Sequence, residues 1–84
     1  MTKEQELVKE AARLVGSQAE LSRRTGISAN FINQMINGRR SVPNHACVKI
    51  EQATKGIVNR KRFRPDSYKD LWPELVDQLK QTKI

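Results

Sequence analysis

Apolar residues recur at helical spacing through the first two thirds of the chain, and glycines and prolines cut that pattern into short units. Leu7, Ala11, Leu14 and Val15 share one face of a first helix that opens at Thr2-Lys3-Glu4-Gln5, a capping-box arrangement, and ends at Gly16. The second unit begins with Ser17-Gln18-Ala19-Glu20. There the Ser17 hydroxyl is set to accept from the backbone N–H of Glu20 while the Glu20 carboxylate reaches back. It stops near Thr25-Gly26. A third helix of about ten residues takes Ser28 as its N-cap and runs through Asn37 to Gly38, a left-handed C-terminal cap. The fourth is predicted to place Pro43 at its first helical position, where the missing N–H has no intrahelical partner to lose, and to end at Gly56. Ala46, Ile50 and Ala53 form its inner face, with Cys47 beside them.

Beyond Gly56 the pattern permits two outcomes. Ile57 and Val58 favour strand, whereas Asn59-Arg60-Lys61-Arg62-Phe63 reads as a capped helical turn before Pro65. Residues 57–70 are therefore either helical or the start of a hairpin. A last helix is expected from about Asp70 or Pro73 to Lys80, with Leu71, Leu75, Val76 and Leu79 at helical spacing around Trp72, and Gln81 to Ile84 fraying. The expected fold is all-α, a compact bundle of about five short helices around a central helix-turn-helix; the alternative is an α+β fold with a C-terminal hairpin. Residues 1–84 are read as one domain, with 65–84 as a C-terminal extension or dimerisation segment.

Composition narrows the function. With 37% hydrophobic and 30% charged residues the chain is expected to fold on its own. No apolar run approaches the ~18 residues that span a bilayer, and MTKEQELVKE lacks the apolar stretch of a signal peptide, so a cytoplasmic protein is expected. The lone Cys47 has no disulfide partner and only His45 near it, which leaves a metal site without ligands and makes Cys47 a core residue. No G-x-S-x-G, P-loop or H-E-x-x-H pattern occurs, and the single histidine has no nucleophile and carboxylate at a motif spacing. Neither catalysis, a cofactor nor a small-molecule substrate is expected.

The net charge of +7 matters mainly for where it lies. Residues 1–16 are neutral, residues 17–64 hold ten basic side chains against Glu20 and Glu51 for +8, and residues 65–84 carry −1. A basic middle attracts polyanions, of which nucleic acid is the commonest, although charge alone does not separate DNA from RNA or an acidic protein.

The segment SQAELSRRTGISANFINQMI adds the specific signal: two short capped helices joined by a turn centred on Gly26, the helix-turn-helix layout. Leu21 faces the core, Ser22 is small where the helices approach, and Gly26 supplies a positive φ that a side chain would resist. Ile27 plugs the interhelical gap, and Ile32 and Ile36, four apart, seat the second helix. Its outer face is then Ala29, Asn30, Asn33, Gln34 and Asn37. Carboxamides donate and accept from one plane, matching the N7 acceptor and N6 donor of adenine in the major groove. No charge occurs from Ile27 to Asn37, while Arg23 and Arg24 precede and Arg39 and Arg40 follow. Amides are thus expected to discriminate bases and arginines to hold phosphates.

LVGSQAELSRRTGIS, INQMINGRRSVP, KIEQATKGIVN, RFRPD and LWPEL, in that order, resemble phage repressors of the Cro and CI type and most of all the helical Cro and YdaS-like group of prophage regulators. The likeness covers roughly residues 5–75. It implies a λ-repressor-like DNA-binding domain in which Gln18 binds a phosphate and Ala29, Asn30, Asn33 and Gln34 face bases. With it, the phosphate-contacting set is Ser17, Gln18, Arg23, Ser28, Asn37, Arg39 and Arg40. Phe31 and Met35 depart from the small residue and the tryptophan common at those places in the group, and are read as packing at the core edge. Arg60, Lys61, Arg62 and Arg64 are either a solvated face or a clamp on the DNA backbone; His45 is a surface residue near a helix start.

One short recognition helix reaches only about four or five base pairs, so a two-fold homodimer on half-sites ~34 Å apart is expected. Leu71, Trp72, Leu75, Val76 and Leu79 are its candidate interface, or else cover the chain's own core. The function expected is a Cro-like repressor on double-stranded DNA, bound to a pseudo-palindromic operator in a phage or prophage. The rival is a YdaS-like protein-interaction module or toxin–antitoxin-type regulator with weak DNA binding. Nonspecific RNA binding is disfavoured by an aromatic content of 5% with no stacking platform.

Overall fold

The computed structural model describes residues 3–74, and within them the chain is helical with no strand. Six helices follow in order: α1 (Lys3–Val15), α2 (Gln18–Thr25), α3 (Ala29–Ile36), α4 (Asn44–Ala53), α5 (Arg60–Phe63) and α6 (Tyr68–Leu71). α1 and α2 form the centre. α3 packs on one flank of that pair, α4 on the other, and α5 closes over α1 and α4.

The core is built from the stripes that helical spacing predicts, with one shift. Leu7, Val8, Ala11 and Ala12 of α1 are buried together with Leu21, Ile32, Met35, Ile36, Ala46, Cys47 and Ile50. Leu14, expected on the inner face of α1, is instead 48% exposed, because Val8 and Ala12 rotate the buried stripe to one side. Met35 is wholly inside, whereas Phe31 is only partly buried against the cluster. Burial pushes the Cys47 thiol up to about 11, which keeps it protonated and inert as a core residue.

Helix ends explain where the elements stop. After α3, Gly38 sits at φ 78°, its N–H donates to the Met35 carbonyl at 3.2 Å and the Arg39 N–H to the Gln34 carbonyl at 2.9 Å, a complete Schellman closure. After α4 the same closure forms one residue earlier than the glycine predicts. Lys55 takes the left-handed position at φ 56° and Gly56 follows, its N–H donating to the Glu51 carbonyl at 2.8 Å. Pro43 is the N-cap of α4, with extended backbone, rather than its first helical residue. Its carbonyl accepts from Ala46 and Cys47 in the first turn.

The hairpin alternative for residues 57–70 does not form. Val58 is fully buried and its N–H donates to Thr54 Oγ1 at 3.0 Å, which consumes the backbone group a strand partner would need. Asn59 then caps α5 through Arg62 N–H at 3.1 Å. Of the expected last helix, Asp70 lies in α6, which ends at Leu71 with Trp72 as its cap, and Pro73 and Glu74 are again helical; Thr2, Leu75, Val76, Leu79 and Lys80 lie outside the described residues.

Candidate nucleic-acid interface

The α2–α3 corner is held by hydroxyl groups as well as by its glycine. Gly26 adopts φ 76° and its N–H reaches the Ser22 carbonyl at 2.9 Å. The Ser22 hydroxyl donates to the Ile27 carbonyl at 2.6 Å. Thr25, only 4% exposed, donates to the Leu21 carbonyl at 2.7 Å and accepts from the Ile27 N–H at 3.2 Å. Both hydroxyls of the turn are thereby paired, and the angle between the two helices is set by short local bonds. Ser22 is more than a small residue at a close approach, and Thr25 is a positioning residue that spacing arguments pass over. A hydroxyl residue ending a helix directly before a turn glycine is the signal that would have found it.

Ser28 caps α3 by accepting from the Phe31 N–H at 3.1 Å, and Ser17 caps α2 by accepting from the Glu20 N–H at 3.0 Å. Both hydroxyls keep an O–H to donate, as a phosphate contact requires. Glu20 does not complete the box by reaching back. Its carboxylate turns to Arg23, with Oε1 at 2.7 Å from the guanidinium, and to Arg24 at 3.5 Å, and the Arg23 hydrogen bond holds its carboxyl below the usual range.

On α3 the row runs outward as expected. Ala29, Asn30, Asn33 and Asn37 are exposed and Gln34 is half-buried. The amides are not independent, because Asn37 Nδ2 donates to Asn33 Oδ1 at 2.9 Å and Asn33 Nδ2 approaches Gln18 Oε1 at 3.5 Å. Gln18, expected at a phosphate, therefore stands at the start of α2 beside the amide row. Gln34 accepts from Arg40 Nε at 3.2 Å, and the Arg40 guanidinium lies over the Phe31 ring, 5.9 Å from its centroid.

The flanking arginines differ from one another. Arg23 is solvent-exposed in its ion pair with Glu20, an arrangement that contributes little to stability and that a phosphate can replace. Arg39 is exposed and makes no side-chain contact among the described residues. Arg40 folds back on Phe31 and Gln34 instead of extending beside Arg39.

The far end of α3 is tied to α1. Gln5 Nε2 donates to the Ile36 carbonyl at 3.1 Å, and a Cβ at Gly38 would come within 2.7 Å of that same nitrogen. Gly38 thus serves both a positive φ and a close approach.

The arginines of the basic cluster at residues 60–64 are engaged within the chain. Arg60 clamps Glu51 through Nε and a terminal nitrogen, both at 3.2 Å, and reaches Glu74 at 3.0 Å while lying 5.5 Å from the Trp72 ring centroid. Arg62 grips both oxygens of Glu10 at 2.8 and 2.9 Å, and Arg64 binds Glu4 at 2.7 Å and the Val42 carbonyl at 2.6 Å. Three of the four cations fasten the 59–74 segment to α1 and α4. Only Lys61 is exposed, against the Tyr68 ring at 5.4 Å. Of the candidate dimer residues, Leu71 is 39% exposed, while Trp72 is partly buried on the chain's own core; Leu75, Val76 and Leu79 lie outside the described residues. His45 is exposed near the start of α4. No helix among the described residues is long and apolar enough to cross a membrane.

Against known proteins, the sequence profile of the family described as bacterial toxin YdaS matches residues 8–71. The chain is also similar to a candidate transcriptional regulator, YdaS, of Escherichia coli (strain K12), with 41% identity over 66 residues, spanning 79% of this chain and 67% of that protein. No solved structure matches the chain significantly. The matched stretch contains α2 to α6 entire, so the corner, the amide row and the Arg60–Glu51 and Arg62–Glu10 pairs lie within it.

Proposed function

The chain belongs to the family described as bacterial toxin YdaS, and on that premise we propose that it is a sequence-specific DNA-binding transcriptional regulator that reads bases with α3 in the major groove. The observation that carries this reading is the outward row of uncharged carboxamides on α3, presented by a corner held by Ser22 and Thr25 hydroxyl bonds. A merely solvated helix face needs no amides and normally carries Lys and Glu. Serine hydroxyls at two helix starts, Gln18, Arg23 and the unengaged Arg39 supply phosphate contacts around that row. In the finer form of the proposal the protein is a Cro-like repressor that binds a pseudo-palindromic operator as a homodimer and excludes polymerase by occupancy. Selection of bound sequences from a random duplex pool tests it: a palindromic consensus is the expected result, and uniform recovery of all sequences overturns it.

The family's description as a toxin favours a second reading, in which growth inhibition comes from a protein partner and DNA contact is weak. Expression of the wild type beside an Asn33→Ala/Gln34→Ala protein separates the two. Inhibition that survives loss of the amide row points to the protein partner; inhibition that disappears with it points to DNA.

A further inference from the structure

We infer that Arg40 is a positioning residue for base reading, and that with Gln34 it makes this point on α3 a reader of guanine. This rests on the proposal that α3 enters the major groove. Amide residues on a recognition helix suggest adenine, because one carboxamide can accept from adenine N6 while donating to N7. The geometry around Gln34 opposes that pairing. A guanidinium has only N–H donors, so the end of the amide that faces Arg40 Nε at 3.2 Å is the carbonyl oxygen. Gln34 then offers a base chiefly its Nε2 hydrogens.

The arrangement is anchored at both ends. The backbone N–H groups of Arg39 and Arg40 close on the Gln34 carbonyl at 2.9 and 3.3 Å, so the residue that Arg40 engages with its side chain also holds its main chain. Phe31, one turn earlier on α3, supplies the aromatic surface beneath the guanidinium at 5.9 Å. An adenine amino group brought to this site would have to share the carbonyl with a full positive charge and meet further N–H donors. Guanine presents two acceptors, N7 and O6, to the same donors. Asn33 differs, since its carbonyl accepts from a neutral amide, that of Asn37.

Sequence selection from a random duplex pool, run in parallel for the wild type and the Gln34→Ala, Arg40→Ala, Arg40→Lys and Arg39→Ala proteins, tests the inference. The operator position that loses its preference in Gln34→Ala is the one Gln34 reads. There the wild type is expected to prefer guanine over adenine about tenfold. Arg40→Ala should abolish or reverse that preference and leave the other positions unchanged. Arg40→Lys, which restores a cationic donor, should recover guanine, and Arg39→Ala should weaken binding to all sequences without moving any preference. Adenine at that position in the wild type, an unchanged consensus in Gln34→Ala, or a uniform loss of affinity in Arg40→Ala would each overturn the inference while leaving DNA binding intact. Failure of the DNA-binding proposal looks different: the wild type itself returns no consensus.

Discussion

Two stretches of this chain are rich in polar side chains and spend them differently. The α3 row is uncharged and faces outward, its amides linked loosely to one another and to Gln18, so its hydrogen-bonding groups stay within reach of a ligand. The 59–64 stretch is the most basic run in the sequence, yet its arginines are paired with Glu4 and Glu10 of α1 and Glu51 of α4. The contrast teaches that a cation count along a sequence measures attraction for a polyanion only after internal carboxylates have taken their share. Three of the ten basic side chains of residues 17–64, Arg60, Arg62 and Arg64, hold the molecule together, whereas Arg39 is exposed and has no carboxylate partner among the described residues.

Substitutions in the two stretches should therefore fail in opposite ways. The largest effect is expected for Arg60→Ala, whose side chain is 15% exposed and bidentate on Glu51. Leaving that carboxylate without its cation should cost about 2–3 kcal/mol, which lowers the thermal midpoint by roughly 10–20 °C, while the salt dependence of DNA binding below that temperature stays as in the wild type. A steeply changed salt slope would make Arg60 a phosphate contact after all. Next, Asn33→Ala is expected to relax base preference by about 1–2 kcal/mol in competition binding, with no change in melting temperature. Arg39→Ala should act on the slope alone, lowering the dependence of log K on log salt by about one unit across all sequences.

The smallest effect concerns acid. Hydrogen bonds from Arg62 hold the Glu10 carboxyl below its ordinary value of 4.5. A carboxyl lowered in the folded state contributes stability above its unfolded pKa and loses it as pH falls through the folded one. Glu10→Gln should thus melt less stably near neutrality and show a shallower decline between about pH 5 and pH 3, followed by thermal melting over that range. Parallel declines in both proteins would mean that Glu10 and Arg62 are not coupled in solution.

What could be seen without a structure was whatever depends on neighbours in the chain. Ser17 and Ser28 as caps, Gly26 in a left-handed turn and the outward face of α3 are all decided within about four residues, where helical geometry is common to all proteins. Glu20 was misjudged even at that range, because a capping carboxylate competes with two arginines on the next turn. The Arg62–Glu10 and Arg64–Glu4 pairs were beyond reach for another reason, since they join residues 52 and 60 apart and exist only once α5 closes over α1. Lys55 in a left-handed conformation escaped notice because a glycine stood next to it and drew the expectation one residue along. The outward amide row on α3 follows from helical spacing, whereas the internal partners of its members, such as Arg40 on the Gln34 carbonyl, do not, because they depend on where the chain turns after α3.

The contact between Gln5 and the last carbonyl of α3 makes the first turn of α1 a structural support for the outward amide face, 31 residues away. On the proposed DNA-binding reading, a change at Gln5 would retune sequence preference through the placement of α3, without touching any residue proposed to meet a base.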